Sequence, residues 1–179
     1  MNRWLALFLA IVVTGAFAQV PDVAGRSQYN LNYEEPAAWQ EVQEVDPPAF
    51  PKKEDLREFY VSAVTTNKYF LDGSTLLVGT DNVVRYVLVV QTSGGATNVS
   101  FEGIHCKELT WKHYASGRSD GTWTKSRAAS ISWRPIENKP VNRHHAALSR
   151  DLLCPGGMAI RSADEGRNAL RLGKHPNSN

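Results

Sequence analysis

The chain has 179 residues, of which 42% are hydrophobic and 21% charged, a composition typical of globular proteins. This composition excludes a wholly disordered or fibrous chain, and the length fits one domain with a buried core. The net charge of +2 at pH 7 hides an uneven distribution of charge along the chain.

The first eighteen residues predict a secretory signal peptide. Arg3 provides a positive start, residues 4–13 are an unbroken apolar run, and residues 16–18 offer the small-x-small pattern that signal peptidase cuts. A run of ten apolar residues is shorter than the roughly 20 needed to cross a bilayer, which favours cleavage between Ala18 and Gln19 over a permanent anchor. Because no Cys lies near the cut, we expect a mature chain without a lipid or transmembrane anchor, free in the periplasm or secreted.

Residues 19–54 predict an extended arm, because Pro, Glu, Asn and Gln dominate and three prolines lie between residues 47 and 51. Trp39 is the exception and indicates one short helical or docked stretch. We expect the folded domain to cover residues 55–174, followed by a flexible tail over 175–179.

Short β-branched and aromatic runs separated by turn residues predict a sheet. The five strongest candidate strands are 59–65, 75–78, 83–91, 98–106 and 109–115, with weaker ones near Trp123 and at 131–133. Their connections are short, so neighbouring strands should pair antiparallel. Residues 83–90 are almost all apolar and should form the central strand.

The C-terminal third predicts two helices. Val141, His145, Leu148 and Leu152 form one apolar stripe that ends before a Pro-Gly-Gly sequence at 155–157. In the second helix, Ser162 and Glu165 match a capping box and Gly173 lies at the C-terminal cap. The predicted fold class is therefore α+β, with an antiparallel sheet of about five to seven strands packed against C-terminal helices.

Cys106 and Cys154 predict one disulfide, since an even pair of cysteines in an exported protein usually pairs. A nucleophilic thiol or a metal ligand is the less favoured alternative, because no CxxC pattern is present. The bond would stabilise the fold by about 4 kcal/mol in the chain-entropy model.

Two motifs that suggest chemistry have simpler interpretations. Residues 117–121 match G-x-S-x-G, which would make Ser119 a nucleophile, but they lie between strand-like segments and predict a hairpin loop. His144 and His145 are adjacent, so on a helix they diverge by about 100° and do not form a helix-borne metal site. We therefore predict no catalytic serine, no metal and no cofactor.

Three side chains remain as pocket candidates: Glu102, His105 and His113. A tight turn at residues 107–108 would place Glu102 opposite His113 in a hairpin, as a carboxylate–imidazole pair suited to acid–base work. A one-residue change of register would separate them, and an incidental structural contact is the alternative.

Charge is unevenly distributed along the chain. Residues 19–58 contain nine acidic and four basic side chains, whereas residues 118–174 contain eleven basic and five acidic. The basic C-terminal face could meet the acidic arm or an anionic envelope component, or the charges could simply be solvated. We expect no nucleic acid partner for an exported chain.

Several segments resemble the signature of the CNP1-like family, whose members are exported proteins of Gram-negative bacteria. The segments are 78–86, 94–106, 114–117, 120–123, Trp133 and 151–155. Two positions depart from the family pattern: Asn82 replaces an expected Gly, and His105 an expected Arg. The resemblance implies periplasmic residence and paired cysteines, and it carries over no activity, cofactor or catalytic residue.

These observations favour a noncatalytic, soluble periplasmic domain with a binding or envelope-support role. The alternative is a small periplasmic hydrolase that uses the three His and carboxylate candidates.

Overall fold

The computed structural model describes residues 39–41, 45–127 and 132–178. Within them the chain forms one antiparallel sheet and C-terminal helices, which confirms the α+β prediction. The strands are β1 (Leu56–Phe59), β2 (Lys68–Asp72), β3 (Leu77–Val78), β4 (Val83–Gln91), β5 (Thr97–His105), β6 (Thr110–Gly117), β7 (Trp123–Lys125) and β8 (Arg134–Pro135). Their order is β1-β2-β4-β5-β6-β7, with β3 also on β4 and β8 also on β6.

Strand β4 is the central strand, as predicted. It pairs with β2 and β3 on one side and, over its whole length, with β5 on the other. The β5–β6 hairpin also has the predicted register, with Ile104 opposite Trp111 and Glu102 opposite His113. Gly117 is the last residue of β6, and residues 118–121 lie in the connection to β7, where Gly121 has a φ of 82°. The hairpin interpretation of this motif is therefore confirmed.

The first edge of the sheet differs from the prediction. The predicted strand at 59–65 is wrong, because β1 ends at Phe59 and residues 60–67 form an irregular connection with a turn at 63–64. The hydroxyl of Thr65 accepts a hydrogen bond from the backbone N–H of Asn67, a local turn that competes with strand pairing. The chain then forms β2 over Lys68–Asp72, which the sequence analysis missed. Of the weak strand predicted at 131–133, residue 131 lies outside the described part of the chain, and β8 begins at Arg134.

Two α-helices follow the sheet. Helix α1 (Arg143–Ala147) continues as a π-helical turn (Leu148–Leu153), and helix α2 covers Ala163–Leu172. Val141 is 82% exposed, so the buried stripe of the first helix begins at His145 rather than at Val141. The caps of α2 match the prediction: the Ser162 hydroxyl accepts from the Glu165 N–H, and Gly173 is left-handed with a φ of 78°.

The helices cover one face of the sheet, which we call the helix face. Its core includes alternate residues of β4, Val84, Tyr86 and Leu88, packed against the helix residues Leu148 and Leu152. The predicted disulfide is present: Cys106, directly after β5, is bonded to Cys154 at the end of the π-helical turn. The bond therefore ties the helices to the centre of the sheet.

The opposite face, which we call the arm face, is covered by residues 39–41 and 45–50. Phe50 packs on Trp123 with ring centroids 5.3 Å apart, and the Trp123 indole donates a hydrogen bond to the Pro48 carbonyl. Beneath them lies a second apolar cluster formed by Val87, Val89, Phe101, Tyr114 and Ala115. Both faces of the sheet are therefore covered, one by helices and one by the N-terminal segment.

Among the described residues, no helix has both the length and the apolar character needed to cross a bilayer.

Candidate functional site

The structure does not bring the three predicted pocket residues together. Glu102 and His105 are buried on β5, 4% and 3% exposed, and their odd spacing turns them to opposite faces of the sheet. Although His113 is opposite Glu102 in the backbone register, its ring is hydrogen-bonded to Ser126 and Ser116. Glu102 and His113 therefore do not form the predicted carboxylate–imidazole pair, because each side chain is bonded to other residues.

Glu102 belongs to a buried network on the helix face. Its carboxylate accepts hydrogen bonds from His145 at 2.8 Å, Tyr86 at 3.2 Å and Ser100 at 2.7 Å. Burial alone would raise the pKa of Glu102, but the hydrogen bond and charge of His145 outweigh it and lower the pKa. The His145 ring stacks on Trp111 at 3.8 Å, so the network fastens α1 to the sheet.

His144 lies beside this network. Its ring stacks on Tyr69 at 5.3 Å and lies 4.1 Å from the His145 ring. Burial, followed by the neighbouring charge of His145, lowers the pKa of His144 to about 4. His144 is therefore neutral in the folded protein at pH 7.

The arm face contains a different polar cluster, positioned by three adjacent strands. Arg85, Gly103 and Lys112 are successive cross-strand partners on β4, β5 and β6. Gly103 leaves room for the Tyr114 ring, because a Cβ at Gly103 would lie 2.9 Å from that ring. Because Gly103 has no side chain, the long polar side chains of the two neighbouring strands, β4 and β6, converge above β5.

Four donors from this surface surround the carboxylate of Glu41. Lys112 Nζ lies 2.6 Å from Oε2 and Trp133 Nε1 3.1 Å from the same oxygen. Tyr114 OH lies 2.7 Å from Oε1, and Arg85 Nη2 lies 3.8 Å from it. We call Arg85, Lys112, Tyr114 and Trp133 the carboxylate site. Each oxygen of the carboxylate thus faces one cation and one neutral donor, an arrangement suited to an ionised carboxylate.

Arg85 already has a buried counter-ion. Its guanidinium forms two hydrogen bonds with the Asp81 carboxylate, at 3.0 and 2.5 Å. Burial acts to lower the pKa of Arg85, but the hydrogen bond to Asp81, together with the charge of Asp81 and the interaction with Tyr114, more than offsets it, so the pKa is raised. Gly79 makes space for this pair, since a Cβ there would lie 2.2 Å from Asp81 Oδ1. Because Asp81 balances Arg85, the charge that Glu41 balances is mainly that of Lys112.

Trp39 docks next to the carboxylate site. Its ring stacks on His105 at 4.3 Å and meets Trp133 edge-on at 5.6 Å. The indole N–H donates to the Asp81 carbonyl at 2.7 Å. Burial lowers the pKa of His105, which keeps the ring beneath Trp39 neutral at pH 7. The arm is thus held by two side chains two residues apart, Trp39 and Glu41.

Sequence reasoning identified Trp39 as a docked residue and missed the carboxylate site. The available signal was Arg85, a lone cation inside the apolar run of the central strand, with Asp81 four residues earlier. Among the described residues, no group of His, Cys, Asp and Glu side chains is arranged to hold a metal ion. The polar groups of the arm face are instead donors arranged around one carboxylate, that of Glu41.

Comparison with known proteins gives one match. A family model described as the CNP1-like family matches residues 34–171, a range that contains Glu41 and all four residues of the carboxylate site. No curated protein and no solved structure matches the chain.

Proposed function

This chain belongs to the CNP1-like family, and we propose that it is a noncatalytic domain of the periplasm that binds a partner at its arm face. The observation that carries the proposal is the convergence of Arg85, Lys112, Tyr114 and Trp133 on one carboxylate. Convergent donors beside exposed aromatic surface are the usual elements of a binding site.

The proposed location rests on the signal-peptide pattern of residues 1–18, and the disulfide agrees with an oxidising compartment. Cell fractionation and N-terminal sequencing test it. We expect periplasmic protein that begins at Gln19, and thiol labelling of the unfolded, non-reduced chain should find no free cysteine. Cytosolic protein with both thiols labelled would contradict the location.

The noncatalytic part of the proposal rests on the contacts of the three acid–base candidates. Glu102 is sealed beneath α1, His105 lies under Trp39, and His113 bonds two serines. Each ring or carboxylate thus has structural partners where a catalytic group would need access to substrate. Incubation with chromogenic esters, phosphates and glycosides should give no turnover; hydrolysis that His113→Ala abolishes would establish the hydrolase alternative.

Site-specific photo-cross-linking in the native periplasm tests binding at the arm face. A photoreactive residue in place of the exposed Ser132, which precedes Trp133 of the carboxylate site and is not part of the arm, should cross-link to a partner. The same residue in place of Met158, which is 71% exposed and lies after the π-helical turn, is the matched control. Equal products at both positions, or none at position 132, would contradict the proposal.

A second surface supports a second candidate role, docking of an anionic envelope component. Arg57, Arg167 and Arg171 line a cavity of about 420 Å³ together with Asp55. Retention on vesicles that contain anionic lipid should fade as salt rises, and Arg171→Gln should weaken it. The control is Arg118→Gln, in the β6–β7 turn. Salt-insensitive retention, or equal effects of the two variants, would exclude this role.

A further inference from the structure

We propose that the carboxylate site recognises a short segment of a partner polypeptide with an aromatic side chain two residues before a carboxylate, and that Trp39 and Glu41 occupy the site as an intramolecular ligand. The inference rests on the binding role proposed above and adds the chemistry of the ligand and the regulation of the site.

The receptor and its occupant belong to different parts of the fold. Arg85, Lys112 and Tyr114 lie on central strands β4 and β6, whose backbones are fixed by pairing on both sides. Glu41 lies 71 residues before Lys112, in the segment that precedes the first strand. These three strand-borne donors therefore remain assembled when that segment leaves, which is the property of a preorganised binding site.

An empty site would be unfavourable. While the covering segment is docked, the side chain of Lys112 is only 12% exposed and Tyr114 is buried, so loss of the Glu41 carboxylate alone would leave both donors in a poorly hydrated position. Buried donors without acceptors cost free energy, and a buried ammonium costs more than a neutral group. A second acceptor of the same chemistry is therefore favoured whenever Glu41 is displaced.

The charge balance selects a carboxylate rather than a phosphate. Asp81 already neutralises Arg85, which leaves one positive charge, that of Lys112, for the ligand. A carboxylate supplies one negative charge and two oxygens, matching one cation and one neutral donor per oxygen. A phosphate dianion would place an uncompensated charge next to Asp81.

The aromatic part of the ligand is defined by the contacts of Trp39. The neutral His105 ring forms the floor beneath it, Trp133 forms a wall, and the Asp81 carbonyl accepts its indole N–H. These contacts favour Trp in the partner segment, since Phe has no N–H to donate. Trp39 itself is 40% exposed, so an incoming segment has access to this end of the site.

Because Trp39 and Glu41 occupy the site, they compete with any separate ligand and lower its apparent affinity. A tethered ligand competes at an effective concentration of up to about the millimolar range. The wild-type chain should therefore bind a separate segment weakly, and weakening of its own Glu41 should strengthen that binding. Displacement of Glu41 by the partner would also release the covering segment from the arm face.

Fluorescence anisotropy with a labelled peptide tests the proposal. The probe is an N-acetylated, C-amidated peptide with the sequence of residues 37–43, and the receptor is the oxidised mature chain carrying Glu41→Gln. We expect this variant to bind the probe at least about tenfold more tightly than the wild type. A probe with Gln at the Glu position should bind at least about tenfold more weakly, and Lys112→Met in the receptor should have the same effect.

The outcomes are distinct. Absence of probe binding to folded Glu41→Gln protein, confirmed as folded by circular dichroism, overturns the proposal. So does equal binding of the Glu and Gln probes. If the peptide does not bind while photo-cross-linking at position 132 succeeds, the arm face binds a partner of other chemistry. The proposed function then survives and the proposed ligand class does not.

Discussion

Acidification should destabilise the protein through His144. The folded-state pKa of about 4 lies below the ordinary value of 6.5, so the unfolded chain binds more protons in this range. Stability is therefore lost as the pH falls past 6.5, and the loss is complete below the folded-state pKa. Between pH 7 and pH 5 the two pKa values give a loss of about 2 kcal/mol from this side chain.

Two other buried side chains, His105 and Glu102, also make the protein less stable as the pH falls, over pH ranges that partly differ from that of His144. The lowered pKa of His105 adds to the loss below pH 6.5. Glu102 has a pKa below its ordinary value of 4.5, so its stabilising pairing with His145 is lost at more acidic pH. The window from pH 7 to 5 therefore reports mainly on buried neutral histidines.

Urea unfolding followed by tryptophan fluorescence measures the effect at pH 8, 7 and 5. The control variant is His144→Phe, which preserves a ring stacked on Tyr69 and cannot titrate. We expect this variant to lose about 2 kcal/mol less than the wild type between pH 7 and 5. Parallel pH profiles for the two proteins would refute the argument that His144 is held neutral by burial.

Two further predictions concern packing and the disulfide. Gly103→Ala should lower the free energy of unfolding by about 1–3 kcal/mol, because the added Cβ would lie 2.9 Å from the Tyr114 ring. The control Gly94→Ala should lower it far less, since the nearest atom to its Cβ would be 3.9 Å away. Equal urea midpoints for the two variants would show that the Tyr114 ring tolerates the change. The Cys106–Cys154 bond closes a loop with a sequence separation of 48, so its reduction should lower the free energy of unfolding by about 4 kcal/mol. Urea titrations with and without reductant measure this difference. Unchanged unfolding after confirmed reduction would contradict the prediction.

Local sequence signals predicted much of the fold. The apolar run of β4 is long and is interrupted only by Arg85, so its composition predicted that it is the central strand. The start of α2 was also predicted correctly, because its capping contact joins Ser162 and Glu165, which are only three residues apart in the sequence. Strand β2 was missed because its five residues begin with Lys and end with Asp, and the stronger β-branched pattern lies in the preceding turns.

The carboxylate site depends on contacts that no local pattern contains. Glu41 meets Lys112 across 71 residues and Trp133 across 92, and these contacts require the sheet order and the docking of the arm. The same holds for the Glu102–His145 pair, which joins a strand to a helix across 43 residues. The sequence correctly predicted that Glu102 lies opposite His113 in the sheet, but the Glu102 carboxylate is hydrogen-bonded to His145 of α1 instead.

A double-mutant cycle between Glu41 and Lys112 tests most directly whether the arm is bound through its carboxylate. Glu41→Gln, Lys112→Met and the double variant are unfolded in urea, and the exposed pair Asp46 and Lys125, whose side chains are 81% and 69% exposed, is the matched control. The buried pair should show a coupling free energy of about 1.5 kcal/mol or more, because a largely buried charged hydrogen bond is lost, and the control should stay below about 0.5 kcal/mol. A coupling near zero for Glu41 and Lys112, equal to that of the control, would contradict the carboxylate site.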